Sequence, residues 1–171
     1  MAVFSFGPTG GPGGYEFNDF DSQPPPDNSR VFRIEVFGLN EGESKPSGFS
    51  HPEAIHGIQL AHITVQGPDV TEIDLPFHGA NGGLQPKILT LNGREYIRKI
   101  AGTYKNFVES LEFTKADRNT HIDEPDTFNV GKVNPASPTF LYEAPTGFAI
   151  VGFVGRQGAL IDALGVIIRP L

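Results

Sequence analysis

GFVGRQGALIDALGVIIRPL, running from Gly152 to Leu171, decides how the rest of the chain is read. Three glycines, Gly152, Gly155 and Gly158, open the stretch, an apolar run closes it, and a single acid, Asp162, interrupts that run. Glycines at this spacing suggest a phosphate loop feeding a helix. The dinucleotide fingerprint, however, needs a strand, a loop, a helix and a further strand, and only thirteen residues follow Gly158. Leu160, Leu164, Ile168 and Leu171 would make a helical stripe, yet Gly165 sits inside it and Val166, Ile167 and Ile168 are β-branched. The spacing therefore predicts a loop and then a strand. A carboxylate beside small residues is placed to accept hydrogen bonds from a ligand lying against bare backbone N–H groups. The plain alternative is that Asp162 ends a turn.

The surrounding composition sets the class. With 21 Gly, 15 Pro and 14 Phe in 171 residues, short apolar runs between turn-forming residues predict one all-β domain over residues 1–171. The chain has no Cys, so disulfides and thiolate metal sites are excluded. A net charge of −7 argues against a nucleic-acid partner or an anionic-membrane surface, which need clustered Lys and Arg. No apolar run approaches bilayer length, so membrane insertion is not expected. The opening MAVFSFGPTGG has no basic segment, its hydrophobic stretch is too short for a signal peptide, and no N-x-[ST] acceptor occurs. These features predict synthesis in the cytosol, with any export by a non-classical route.

Along the chain, GPTGGPGG (7–14) reads as a glycine loop, with Tyr15 and Phe17 beginning the first strand. VFRIEVF (31–37) alternates Phe32, Ile34 and Val36 against Arg33 and Glu35, as a half-buried strand does. Residues 39–53 read as a polar loop, IQLAHITV as a strand, and HGANGG (78–83) as a second glycine loop. Asn92-Gly93 after KILTL predicts a hairpin. REYIRKI, VESLEFT, TFNV, TFLYEA and FAIVGFV are further strands, while KADRNTHIDEPD reads as an exposed acidic loop. No segment predicts a helix.

Aligning the strand openings exposes a repeat. Ala54–Ile58 (AIHGI), Phe107–Leu111 (FVESL) and Leu160–Leu164 (LIDAL) share one pattern, and Ile55, Val108 and Ile161 follow one another at intervals of 53 residues. Three copies of one supersecondary unit predict a pseudo-threefold all-β domain. The first unit carries about sixteen extra residues, assigned to the 21–29 and 39–53 loops.

Gly7–Phe17 (GPTGGPGGYEF) and Gly152–Val166 (GFVGRQGALIDALGV) together resemble the two ends of jacalin-related lectins, and Gly79–Thr114 resembles the middle of that family, including its animal zymogen-granule branch. The resemblance implies a β-prism I fold, three four-stranded Greek-key sheets about a pseudo-threefold axis, with carbohydrate bound at one end. It implies that Gly14 and the G-x-x-x-D motif of Gly158, Ala159, Leu160, Ile161 and Asp162 hold the sugar. Asp162 would accept from two hydroxyls, while the backbone N–H groups of Ala159 and Leu160 donate back. By the same analogy the Thr103–Asn106 loop forms a third wall, where Tyr104 is either a stacking face or ordinary surface packing. The galactose-binding branch carries bulky aromatics at the positions of Ala159 and Leu160 and a cleaved first loop. This chain has neither, so the resemblance implies mannose- or glucose-type glycans. No cofactor is implied. A homo-oligomer is expected because a single-sugar site is weak, with Kd near ~1 mM, and gains avidity by repetition.

No catalytic constellation is visible. The counterparts of Asp162 in the repeat are Glu109 and His56, which the symmetry places in separate sheets, so two facing carboxylates are not formed. The five histidines read as surface or strand-end residues, since no ligand spacing links them. The competing reading is a protein-interaction or assembly module that keeps the prism without binding sugar.

Overall fold

The computed structural model describes residues 1–171 and contains thirteen strands and no helix. These are β1 (Phe4–Gly10), β2 (Tyr15–Asn18), β3 (Arg30–Phe37), β4 (Gly57–Gln66), β5 (Asp69–Asp74), β6 (His78–Gly79) and β7 (Lys87–Thr90). They are followed by β8 (Glu95–Tyr104), β9 (Val108–Asp117), β10 (Asp123–Gly131), β11 (Thr139–Glu143), β12 (Phe148–Gln157) and β13 (Ile161–Pro170). Three antiparallel sheets result. One runs β7-β3-β4-β5 with the short β6 also on β4, one runs β11-β8-β9-β10, and one runs β2-β12-β13-β1. The last two touch through a single backbone pair, Ile150 with Ile97. This is the expected β-prism I.

The repeat has a direct structural meaning. Ile55, Val108 and Ile161 are all fully buried and meet on the axis. There Ile55 N–H donates to Val108 O (2.8 Å) and Ile161 N–H donates to Ile55 O (3.0 Å). Beside them Gly10, Gly79 and Gly131 adopt positive φ (149°, 82° and 96°). A Cβ at any of the three would collide with the carbonyl oxygen of Asp162, His56 or Glu109 respectively. Each sheet is thus pressed against the axis through a glycine that no other residue can replace without moving backbone. Around this axis 29 buried apolar residues form one core, and β12 and β13 contribute Ile150, Phe153, Leu164, Val166 and Ile168. Each such side chain contributes roughly 1.5–3 kcal/mol of transfer free energy.

Several local expectations change. The first strand is Phe4–Gly10, ahead of Tyr15, and it pairs with β13 along the outer edge of the third sheet. The Asn92-Gly93 turn closes no hairpin: β7 pairs with β3, while β8 pairs with β9 and β11, so the turn crosses between sheets. Phe32 does not share the buried face with Ile34 and Val36. A register shift between Val31 and Arg33 puts Val31 inward at 4% exposure and leaves Phe32 half-buried, with the Arg33 guanidinium 5.2 Å from its ring centroid. Gly152 and Gly155 lie within β12, leaving only Gly158–Leu160 as the loop. The stretch read as an acidic loop mostly continues β9 and β10, and Asp123 is held by Arg98 (2.9 Å) and Lys99 (2.6 Å).

The histidines are the largest correction. His56, His62 and His78 are buried. His62 sits with Nδ1 2.8 Å from Ser29 Oγ and Nε2 2.7 Å from the Val151 carbonyl. Burial pushes its imidazole down to about 4, Val151 O opposes that, and the Arg169 charge adds to it. A neutral ring with both nitrogens satisfied can be buried without the cost of a lone charge.

Candidate functional site

At one end of the prism lies a cavity of about 560 Å³. One wall is Gly14, Gly158, Ala159, Leu160 and Asp162. The opposite wall is Gly48, Phe49, Ser50 and His51 from the 39–53 loop, with His56, Ala80 and Gly82 at the base. Five of the six residues singled out from the sequence are therefore brought to one cavity, although they come from chain ends some 145 residues apart. Tyr104 is not among them. It packs against Phe140 (ring centroids 6.3 Å apart) and the core, and no residue of 103–106 lines the cavity. The loop instead lies behind the site, with Asn106 O against Gly11.

The geometry follows from small residues and fixed backbone. Gly14 has φ 71°, and a Cβ there would stand 2.6 Å from Asp162 Oδ2; at Gly13 it would stand 2.8 Å from Oδ1. Side chains at either position would fill the space in front of the carboxylate. Gly11 N–H donates to Asp162 O (2.8 Å), tying the first glycine loop to the acid's own backbone. The Asp162 carboxylate is half-buried and takes no hydrogen bond from any other residue. Burial raises its carboxyl above the ordinary range, opposed by the Arg156 charge. In the turn, Gly158 N–H is used by Leu160 O (3.0 Å), while the N–H groups of Ala159 and Leu160 take no main-chain acceptor. The site thus offers one acceptor-only anion and two free donors within one turn.

Residues that the sequence reading passed over hold this arrangement. Arg156 donates from Nε to Gly13 O and from Nη2 to Gly14 O, both at 2.9 Å, stapling the glycine loop to β12. Behind the turn, Gln157 Oε1 accepts from Gly79 N–H (2.7 Å), which points its amide nitrogen at His78 Nδ1 (3.1 Å). His78 must then accept at Nδ1 and donate from Nε2 to Asp19 Oδ1 (2.5 Å), while Asp19 Oδ2 accepts from Phe153 N–H (2.7 Å). Phe17 stacks on the imidazole at 3.7 Å. On the far wall, the buried His56 lies 4.4 Å from Phe49 ring to ring and bonds His51 O through Nε2 (3.1 Å). The HGANGG loop was a signal for this second wall, because it occupies in the first unit the place that GPTGGPGG occupies in the third.

The family model for the jacalin-like lectin domain matches residues 6–167. The chain belongs to the jacalin-like lectin family. This is a family of non-catalytic, carbohydrate-binding proteins, in line with the lack of a catalytic constellation in the sequence. Jacalin-related lectin 10 of Arabidopsis thaliana is 26% identical over 161 residues, covering 86% of this chain and 47% of that protein. Myrosinase-binding protein 2 of Arabidopsis thaliana is 38% identical over 77 residues, 45% of this chain and 11% of the relative. The chain thus spans less than half the length of these curated relatives. Among solved structures, the fold is shared with a mannose-binding jacalin-related lectin from Ananas comosus (TM-score 0.66, 23% identity, 99% of each chain covered). It is shared equally with artocarpin in complex with mannotriose (TM-score 0.68, 21% identity, 99% of each chain).

The repeat also explains how the jacalin-like unit differentiates its three repeat-related loop sites. In the second unit, Glu109 stands where Asp162 stands in the third, but it is buried, and its Oε2 has no hydrogen-bond partner. Phe140 pairs with Gly102 as Phe17 pairs with Gly155, so Ser137 occupies the position of Gly14. Its side chain is buried too, so neither residue is presented to a ligand at that site.

Proposed function

We propose that this jacalin-like domain binds mannose- or glucose-type glycans at the cavity walled by Gly14, Gly158, Ala159, Leu160 and Asp162. The observation that carries the reading is the Asp162 carboxylate, which takes no hydrogen bond from any other residue and lies in the same turn as the free N–H groups of Ala159 and Leu160. A pyranose presents adjacent hydroxyls that each donate and accept, which complements one acceptor-only anion flanked by donors. Small residues at 158–160 leave the ring free to approach the backbone. The mannose-binding lectin of Ananas comosus and the artocarpin–mannotriose complex, which share this fold, support the mannose-type preference. Weak single-sugar affinity supports use as a homo-oligomer, where repeated sites raise avidity.

Calorimetry with methyl α-mannoside and methyl α-galactoside on the wild-type chain and on Asp162→Asn tests this. The mannoside should bind with a stoichiometry near one, and the galactoside more weakly. Asn keeps the shape but turns one acceptor into a donor, so binding should fall beyond detection. Because the carboxylate bonds no other residue, the melting temperature should hold. Galactoside preference, or unchanged affinity in Asp162→Asn, refutes the assignment. The name of Myrosinase-binding protein 2 supports the second reading, a protein-docking module. That reading gains if no monosaccharide binds.

A further inference from the structure

The chain has seven arginines, and four of them, Arg33, Arg94, Arg98 and Arg156, are ion-paired. The other three, Arg30, Arg118 and Arg169, make no ion pair, and all three line one cleft of about 250 Å³. This happens in a chain with 20 acidic residues against 13 basic ones, where a carboxylate partner is easily found. The cleft lies at the end of the prism away from the sugar cavity. Asp162 and Arg169 sit seven residues apart on β13, roughly 23 Å along an extended strand.

The three guanidinium groups are held differently. Arg169, 3% exposed, is fixed by the carbonyls of Pro26 (3.1 Å) and Ser29 and by Ser29 Oγ (3.0 Å). Arg30 donates from Nη1 to Asn92 O (3.2 Å). The Arg118 side chain donates to nothing in the protein, and its Nε is buried without a partner. Asp27 is the acidic side chain in the lining, and the amine of Met1 already takes its Oδ2 at 3.1 Å. Burial first, and then the Arg30 charge, hold the Arg118 guanidinium below its ordinary range. For Arg169 burial again acts first, Asp27 opposes it, and Arg118 adds to it.

Like charges crowded in a cleft cost stability, and an anion seated among them relieves that cost. We propose that this cleft binds a phosphate- or sulfate-type oxyanion, free or as the terminal ester of a small molecule. Arg118 and Arg30 donate to its oxygens, and Arg169 supplies a fixed positive wall. A tetrahedral oxyanion offers more acceptor oxygens to converging guanidinium forks than a carboxylate does. The cleft volume admits one such group, and the overall charge of −7 disfavours an extended polyanion.

The test titrates inorganic phosphate, inorganic sulfate and methyl phosphate into the full chain at constant ionic strength, against chloride. The arginine Nε–H resonances are followed by NMR, with a thermal melt in parallel. A saturable shift of the Arg118 Nε–H resonance is expected, and comparing phosphate with methyl phosphate separates a free ion from an ester. Arg118→Gln and, separately, Arg30→Gln should each weaken binding at least about tenfold. General stabilisation by excluded phosphate or sulfate raises the melting temperature of every variant alike and counts for nothing. A non-saturating response in the wild type, or equal affinity in either variant, overturns the proposal. Should Arg118→Gln fail to fold, the wild-type titration and Arg30→Gln decide it.

Discussion

Replacing Gly14 with Ala exchanges one hydrogen for a methyl group at the point where the two ends of the chain meet. Two costs follow. Gly14 has φ 71°, and an L-residue held there costs roughly 1–2 kcal/mol. The new Cβ would also stand 2.6 Å from Asp162 Oδ2 and against the Gln157 carbonyl. An ordinary C···O separation is about 3.3 Å, so the carboxylate must give way by roughly 0.7 Å. That displacement exceeds the ~0.5 Å within which a binding group must be held. Losing one charge-assisted hydrogen bond to the sugar, about 1.5–3 kcal/mol, weakens affinity roughly ten- to a hundredfold. The strain alone lowers the melting temperature by roughly 2–8 °C for a chain of this size. Gly67→Ala is the control, because Gly67 also has positive φ (60°) but nothing lies within 4 Å of its Cβ. It should show the thermal loss and keep full mannoside affinity. Calorimetry and melting curves on both variants read the two effects separately. Wild-type affinity in Gly14→Ala would refute the placement of Gly14 in front of the carboxylate.

Stability should also fall on mild acidification, because the His62 ring is held neutral. Its folded value of about 4 lies below the ordinary 6.5, so the unfolded chain binds the extra proton between those values. The contribution is complete above pH 6.5, is lost as pH falls toward 4, and amounts to about 3 kcal/mol in all. Denaturant melts across that window should show this slope, and His62→Gln, which cannot titrate, should flatten it; an equal slope in the variant contradicts the assignment. Glu109→Gln should leave mannoside binding untouched, since Glu109 is buried and does not line the cavity, and lost binding in that variant would place a second sugar site there.

Most of the architecture was legible because strand parity and turn residues are local signals. The 53-residue interval of Ile55, Val108 and Ile161 exposed the threefold axis itself, since three identical jobs at one axis demand three similar side chains. The pairing of Gly14 with Asp162 was legible only through family resemblance, as nothing local links residues at opposite ends of a chain.

What the sequence alone determined is therefore the all-β class, the threefold repeat and the two end motifs. Which partner each strand takes was decided in three dimensions. Asn92-Gly93 has the composition of a hairpin turn, but β7 gains more by pairing with β3, so the turn bridges two sheets. One bulge between Val31 and Arg33 reversed the side on which Phe32 emerges, because a period of two inverts with a single extra residue. The burial of His56, His62 and His78 was likewise invisible, for each is tolerated only by acceptors and rings from distant segments: Val151 for His62, Asp19 and Phe17 for His78, Phe49 for His56. The far wall of the sugar cavity and the arginine cleft belong to the same category. Both are built from residues that become neighbours only when three sheets close around one axis.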